Sequence, residues 1–111
     1  MSKNHVKNVR LIASAPHLIG LEKVILSACN MNYYNRKGEL VGEIDVYIET
    51  TAPKNGCYIH LVEYKASKKY RTKAYEQLER SILFFREELD LEVAGRFVCD
   101  QRPYHVEVVR F

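Results

Sequence analysis

A carboxylate and an amine lie two residues apart near the middle of the chain. Glu63 and Lys65 follow the apolar residues Ile59, Leu61 and Val62, and residues two apart on a strand project from the same face. Charged groups are costly to bury unless they are paired or bind a metal. The pair therefore indicates either a site that handles charge or a strand that leaves the core and becomes polar, and the tripeptide alone favours the second interpretation.

A second acid, Asp45, lies in a segment of alternating apolar and polar residues, 42–50. If this segment and the next strand form an antiparallel hairpin, Asp45 and Glu63 lie nearly opposite one another across the ladder. Two like charges repel there unless a divalent cation lies between them. The alternative is an exposed polar face with scattered acids, because Glu43 and Glu49 are predicted on the same face as Asp45.

A third acid, Glu22, falls inside a stripe of apolar residues at helical spacing. A helix is predicted to begin near Pro16, with Ser14 as its cap, and to end near Asn30. Glu22 then lies either over the sheet, pointing toward the other two acids, or at the edge of the stripe, turned to solvent. The stripe that predicts this helix comprises Leu18, Leu21, Ile25 and Ala28.

A cluster of basic residues follows Glu63 directly, with no acid among its members. Tyrosines are interleaved with it, so the segment is suited either to phosphate binding with aromatic stacking or to a solvated helical face. Further along the same helix, Gln77 flanks the apolar stripe. The basic members are Lys65, Lys68, Lys69, Arg71 and Lys73, and the tyrosines are Tyr64, Tyr70 and Tyr75.

These residues lie on segments with helical periodicity and on segments with the two-residue periodicity of strands. The combination predicts a mixed α/β sandwich. Strands are predicted over 42–50 and over Cys57–Lys65, separated by a turn at 53–56. The second strand is apolar on both faces, so a central position is expected. The longest helix covers 67–89, and two more strands cover 91–99 and 105–111, with Arg102 and Pro103 between them. Residues 1–13 are compatible with a short helix, an edge strand or a loose arm.

The composition is that of an ordinary globular protein of one domain, 1–111. The chain is 47% hydrophobic and 28% charged, and a net charge of +3 does not by itself indicate nucleic acid. No signal peptide and no membrane-spanning run are evident. Three widely spaced cysteines argue against a disulfide framework and predict an intracellular, cytoplasmic location. Four scattered histidines argue against a zinc site.

In combination, these motifs resemble the PD-(D/E)XK nuclease superfamily, and most closely the archaeal-type Holliday junction resolvases. The motifs are G-E-I-D at 42–45, V-E-Y-K at 62–65, and a following helix that carries Gln77. Glu22 on a preceding helix strengthens the match. The resemblance implies a restriction-endonuclease-like fold, in which a mixed sheet is flanked by helices in an α-β-β-β-α-β core.

The resemblance also implies roles for individual residues. Asp45, Glu63 and the backbone carbonyl of Tyr64 would ligate Mg²⁺, for which Mn²⁺ can substitute, and Glu22 would complete the acidic cluster of the metal site or hold a metal-bound water. Lys65 would position the attacking water and stabilise charge on the phosphate, and Gln77 would orient the nucleophile or contact the backbone. The nucleic-acid-binding residues would be Lys68, Lys69, Arg71 and Lys73.

The function implied is that of a magnesium-dependent DNA endonuclease, selective for branched DNA and acting in recombination or repair. A twofold homodimer suits a four-way junction, and Leu83 and Phe84, which fall off the main helical stripe, offer an interface. One alternative is a module that keeps the nuclease fold and binds nucleic acid without cutting it. Another is a structural or interaction protein whose acids are solvated.

Overall fold

The chain forms a five-stranded mixed sheet flanked by helices. The computed structural model describes residues 3–99 and 103–111. Short 3₁₀ turns at Pro16–Ile19 and Lys68–Tyr70 precede β1 and α2. In chain order the elements are α1 (Lys3–Ser14), β1 (Val24–Tyr34), β2 (Leu40–Lys54), β3 (Cys57–Lys65), α2 (Arg71–Leu89), β4 (Ala94–Cys99) and β5 (His105–Val109).

The strands lie in the sheet in chain order, from β1 at one edge to β5 at the other. The first three form an antiparallel meander, β3 and β4 are parallel, and β5 returns antiparallel to β4. A parallel pair requires a crossover connection, which α2 supplies. The carboxyl ends of β3 and β4 therefore lie side by side at the same end of the sheet. Lys65 pairs with Cys99 there, and the chain continues from β3 toward α2.

Each face of the sheet has its own apolar cluster. The apolar stripe predicted on the long helix comprised Ala74, Leu78, Ile82, Phe85 and Leu89. On one face of the sheet α2 buries the first four, whereas Leu89, at the end of the helix, is exposed. On the other face α1 buries Val9 and Ile12. Full burial of a large apolar side chain contributes about 1.5–3 kcal/mol, so these clusters hold the two helices against the sheet. The strand residues beneath α1 include Val46, Ile48, Val62, Tyr64 and Val98.

The prediction of a helix that begins near Pro16 and ends near Asn30 is wrong. Only a 3₁₀ turn forms at Pro16–Ile19, and Gly20, in the left-handed conformation at φ 82°, ends it. The next residues extend into β1, which pairs with β2 along most of its length. Sheet pairing thus overrides an apparent helical spacing, and Ile25, placed in the predicted stripe, is 63% exposed on the edge strand.

The sequence left residues 1–13 as a short helix, an edge strand or a loose arm. In the structure, the helix α1 covers Lys3–Ser14. The predicted bounds of β3 are confirmed at both ends, and β2 is longer than the predicted 42–50. The long helix is confirmed but begins at Arg71, after the 3₁₀ turn. Arg102, in the predicted final turn, lies outside the described residues. No helix in the described ranges is long and apolar enough to span a membrane.

Candidate active site

Asp45 and Glu63 are brought together as a buried pair on neighbouring strands. The register of β2 and β3 pairs Val46 with Val62, and the next position places the two acids across the ladder. Asp45 is 6% exposed and Glu63 is 2% exposed. Burial, and then the adjacent Asp45, raise the pKa of the Glu63 carboxyl to about 9, while Lys65 opposes the shift. Without a cation, the site therefore disfavours two ionised carboxylates.

The two neighbours of Asp45 along β2 pack in different apolar clusters. Ile44 packs in the α2 cluster, whereas Val46 packs in the α1 cluster, although residues two apart on a regular strand share a face. The residue opposite Asp45 on β1 is Asn30, which has a φ of 56°. Asp45 consequently reaches groups on both sides of the sheet.

Both oxygens of the Asp45 carboxylate have neighbours that fix its plane. Oδ2 accepts a hydrogen bond of 2.8 Å from the backbone N–H of Tyr64. Oδ1 lies 3.5 Å from Nε2 of His5. A carboxylate held at both oxygens is oriented before any ligand arrives, which is the preorganisation that a binding or catalytic site requires.

His5 is the site residue that the sequence reasoning missed. It lies on α1 with a side chain 19% exposed, and its ring stands edge-on to that of Tyr64 at 5.7 Å between centroids. The spacing of His5, Val9 and Ile12, at i, i+4 and i+7, places all three on the buried face of α1. That spacing was the available signal, and it required the first segment to be recognised as a helix.

Glu22 lies away from the acidic pair. It is exposed on the loop before β1, two residues ahead of Val24, which pairs with Thr50. Thr50 is five residues along β2 from Asp45, a separation of about 17 Å at the usual rise of a strand. The helix that was to carry Glu22 over the sheet does not form. We therefore leave Glu22 out of the proposed metal site.

Lys65 and Gln77 lie on the α2 side of the pair. Lys65 is half-buried and shares a face of β3 with Glu63. On α2, Gln77 accepts a hydrogen bond at its backbone oxygen from Ser81, whose hydroxyl is 2.9 Å from that of Tyr33. Burial raises the pKa of Tyr33, and the Glu63 carboxyl adds to that shift. These contacts place Tyr33, and with it this part of α2, within electrostatic reach of Glu63.

Buried oxygen atoms without hydrogen-bond partners cluster in this part of the sequence. Within the described ranges these atoms include Oε1 of Glu63, Oγ of Ser67 and Oε1 of Gln77. Buried polar atoms are usually satisfied, so exceptions call for a water, an ion or a catalytic role. Two carboxylates and the Tyr64 carbonyl supply the hard oxygen donors that Mg²⁺ prefers, and Mg²⁺ normally keeps several waters.

The described residues contain no group of three or more histidine, cysteine, aspartate or glutamate side chains placed to hold a metal ion. The predicted acidic trio of Glu22, Asp45 and Glu63 is thus reduced to a pair. Two carboxylates and a carbonyl still fit a hydrated Mg²⁺, which binds through one or two carboxylates in many phosphate-handling sites. They do not fit a fully protein-ligated cation.

The predicted nucleic-acid-binding residues are all exposed, but one of them is already engaged. Arg71 donates two hydrogen bonds to Glu107 on β5, at 2.9 and 2.5 Å. The Arg71 guanidinium, with His105 and Tyr75, holds the pKa of Glu107 at about 2. Arg71 therefore ties the start of α2 to the sheet. Within residues 3–99 and 103–111, no carboxylate pairs with the other three cations of the patch, Lys68, Lys69 and Lys73.

Comparison with known proteins adds no assignment to this geometry. No protein-family model matches the chain, and no curated protein is significantly similar to it. The chemistry of the site is therefore argued from the acids, the lysines and the fold that holds them.

Proposed function

We propose that the chain is a divalent-metal-dependent DNA endonuclease with a restriction-endonuclease-like fold. The observation that carries this proposal is the buried pair of Asp45 and Glu63, set beside Lys65 at the end of β3. Burying two acids together costs stability unless a cation compensates. Features that lower stability and persist in a fold are typical of functional sites. Lys65 beside the pair suits a phosphodiester substrate, and so do the exposed lysines just beyond it, Lys68, Lys69 and Lys73, which pair with no described carboxylate.

The order of the elements supports the same assignment. From α1 through β4 the chain runs α-β-β-β-α-β, with β3 and β4 parallel. This is the core expected from the resemblance to PD-(D/E)XK nucleases, although its first helix is Lys3–Ser14 rather than the segment that contains Glu22. That helix brings His5, not a third acid, to the pair. The metal site proposed here accordingly has two carboxylates.

The residues divide the work of phosphodiester hydrolysis among them. Asp45, Glu63 and the carbonyl of Tyr64 would hold Mg²⁺ or Mn²⁺, which when bound lowers the pKa of a water and polarises a phosphoryl oxygen. The Tyr64 N–H keeps Asp45 in its orientation. The Lys65 ammonium stabilises negative charge that develops on the phosphate in the transition state. The Gln77 amide orients the water or the DNA backbone.

A second candidate function is a nucleic-acid-binding module that does not cut. The position of Glu22 favours it, because an acid predicted to complete the metal site lies on an exposed loop. The two candidates differ in one property: a binding module has no need to bind metal at Asp45 and Glu63. Titration calorimetry with Mn²⁺ on the wild type and on Asp45→Asn separates them.

The substrate and assembly remain part of the proposal. We propose branched DNA as the preferred substrate and a twofold homodimer as the active form, as the resemblance implies. Phe84 is half-buried and its ring lies 4.9 Å from that of Tyr33, so it packs largely within its own chain. Leu83 beside it is also half-buried, which leaves a smaller apolar contribution to a dimer interface than the sequence alone indicated.

The test is a cleavage assay on a panel of end-labelled nucleic acids. The panel contains a four-way junction, plain duplex, single-stranded DNA and RNA, each with and without Mg²⁺. We expect the wild type to cleave DNA only with metal, and Asp45→Asn to be inactive. Lys37→Ala, on the exposed turn between β1 and β2, is the matched control and should remain active. Absence of cleavage on every substrate, or equal activity of Asp45→Asn, would overturn the proposal.

A further inference from the structure

A histidine on β5 lies in the same row of the sheet as Lys65. Lys65 on β3 pairs with Cys99 on β4, and Cys99 pairs in turn with His105 on β5. Side chains of directly paired residues project from the same face of a sheet. Neighbouring strands lie about 4.8 Å apart, so the backbones at Lys65 and His105 are separated by about 10 Å. His105 therefore lies two strands from Lys65, at the same end of the sheet.

The side chains of this row lie on the face of the sheet that α2 covers. Cys99 and Leu61 both belong to the apolar cluster beneath α2, and Lys65 is four residues from Leu61 on β3, so it shares that face. Glu107 is two residues from His105 on β5 and is bonded to side chains of α2. The acidic pair's lysine and the histidine thus project into the same region.

The ring of His105 is oriented by an ionised carboxylate. Its Nε2 atom lies 2.6 Å from Oε2 of Glu107. The Arg71 guanidinium first, and then His105 and Tyr75, hold the pKa of Glu107 at about 2, so this carboxylate can only accept and Nε2 donates. A carboxylate at one ring nitrogen orients an imidazole and stabilises its protonated form. Among the described residues the ring makes no other hydrogen bond, and its side chain is 30% exposed, so Nδ1 can serve a ligand.

Positive charge converges over the middle of the row. Cys99 is fully buried beneath it. Burial raises the pKa of the Cys99 thiol, and Lys68 and Arg71 oppose that shift, which places both cations within electrostatic reach of Cys99. Arg71 is held by a carboxylate of β5. The groups that can meet a phosphate over Cys99 are therefore Lys65, Lys68 and a protonated His105.

We propose that His105 is the general acid of phosphodiester hydrolysis, an inference that rests on the proposed nuclease function. In an in-line displacement the attacking and leaving oxygens lie on opposite sides of phosphorus. Asp45 lies on β2 and Glu63 on β3, whereas His105 lies on β5, on the other side of Lys65. A water that attacks from the acidic pair therefore directs the leaving oxygen toward His105.

The proton transfer completes the bond changes of the hydrolysis. The water oxygen forms a bond to phosphorus, and the bond from phosphorus to the leaving oxygen breaks with its electron pair on that oxygen. The leaving oxygen takes the proton from Nδ1 of His105. The attacking water releases its own proton to solvent, and solvent returns a proton to the ring. Glu107 keeps the ring in place and stays ionised throughout.

The first test measures kcat of His105→Gln on two versions of a DNA that the wild type cleaves. One is the natural DNA, and the other has sulfur in place of the leaving oxygen at the mapped scissile phosphate. Because a thiolate leaves without protonation, only the natural DNA requires the acid. We expect kcat of His105→Gln to fall about 100-fold or more on the natural DNA and to stay near the wild-type value on the sulfur DNA. His17→Gln, an exposed histidine on the Pro16–Ile19 turn, is the matched control and should match the wild type on both.

The second test needs neither cleavage nor metal. Ring resonances of the wild-type histidines are followed by NMR against pH in EDTA, with and without the same DNA. A phosphate beside the ring stabilises its protonated form, so DNA should raise the pKa of His105 and leave that of His17 unchanged. The other groups around the ring are present in both titrations, so they cancel in the comparison. These groups are Glu107 on β5, Arg71 and Tyr75 on α2, Cys99 on β4, Lys65 on β3 and Lys68 on the turn before α2.

Three results would overturn the inference. A wild-type rate in His105→Gln on the natural DNA would show that no proton comes from this residue. Equal losses on the natural and sulfur DNA would assign His105 to holding β5 in place. A pKa of His105 that DNA leaves unchanged would place the phosphate elsewhere, and this result does not depend on the folding of any variant. Each of these leaves the proposed nuclease function standing, whereas a wild type that cleaves no DNA contradicts that function and the inference together.

Discussion

Replacing Glu63 with glutamine is predicted to stabilise the metal-free protein while removing the proposed nuclease activity. Glutamine has nearly the same shape but no charge, so the packing around the site is kept. In the folded protein, burial and the neighbouring Asp45 raise the pKa of Glu63 from 4.5 to about 9. The folded state therefore holds a proton at Glu63 that the unfolded chain releases above pH 4.5. As pH rises from 4.5 toward 9, wild-type stability falls relative to that of the variant.

The expected magnitude follows from proton linkage. Each pH unit between the two pKa values is worth about 1.4 kcal/mol. At pH 7, which is 2.5 units above the ordinary value of 4.5, Glu63→Gln should raise the free energy of unfolding by about 3 kcal/mol. At pH 5 the gain should be below about 1 kcal/mol. The value at pH 7 changes little with the folded pKa, as long as that pKa stays above 7.

The assay is urea unfolding in EDTA at pH 5, 6, 7 and 8. The midpoint difference between wild type and Glu63→Gln should widen steadily with pH, and added Mg²⁺ should reverse the order by stabilising the wild type alone. Glu79→Gln, an exposed acid on α2, is the matched control and should show no such trend. A midpoint difference that is constant across pH, or a variant less stable than wild type at pH 7, would refute the reasoning.

Three further predictions concern residues around the pair. Lys65→Ala should abolish cleavage with Mn²⁺ affinity nearly unchanged in calorimetry, because in the proposed mechanism its ammonium acts on the phosphate and not on the metal; lost metal binding would contradict that role. Replacing Lys68 and Lys69 with Gln should lower the salt slope of DNA binding by about 2. Arg71→Gln should instead lower the urea midpoint of unfolding, because its guanidinium binds Glu107 on β5. A larger loss of salt slope in Arg71→Gln than in the Lys68 and Lys69 variant would refute this assignment of roles. His5→Ala should weaken Mn²⁺ binding about tenfold or more and His5→Gln should restore most of it, whereas equal affinities would remove His5 from the site.

The sequence predicts the central strands better than the first part of the chain. β3 follows from its apolar run and from the turn before it, since Asn55 and Gly56 both have the positive φ that such turns require. The helix predicted from Pro16 to Asn30 does not form, because the leucines before β1 and Ile25 within β1 fit a helical spacing by coincidence. Leu18 and Ile25 are exposed rather than buried, and only pairing with β2 determines the actual conformation.

The contrast between local sequence signals and tertiary contacts also explains which site residues could be predicted from the sequence. Asp45 and Glu63 are paired by the register of the β2–β3 hairpin, in which alternation predicts both strands. The turn alone does not determine that register, because an irregularity between Glu49 and Lys54 shifts the pairing by three residues. His5 reaches the site through the docking of α1, a tertiary contact between segments 40 residues apart. Sequence periodicity carries no information about such docking. Glu22 was assigned to the site through a helix that does not form. That wrong assignment has the same cause, because periodicity alone does not report the tertiary pairing of β1 with β2.

The central claim is that Asp45 and Glu63 form a divalent-metal site. Anomalous diffraction from a crystal of the wild type grown with Mn²⁺ tests it most directly. We predict an anomalous peak at about 2.0–2.3 Å from a carboxylate oxygen of each acid and from the Tyr64 carbonyl. The peak should vanish in Asp45→Asn. A wild-type map with no peak at this pair, or with peaks only at exposed acids such as Glu22, would contradict the account.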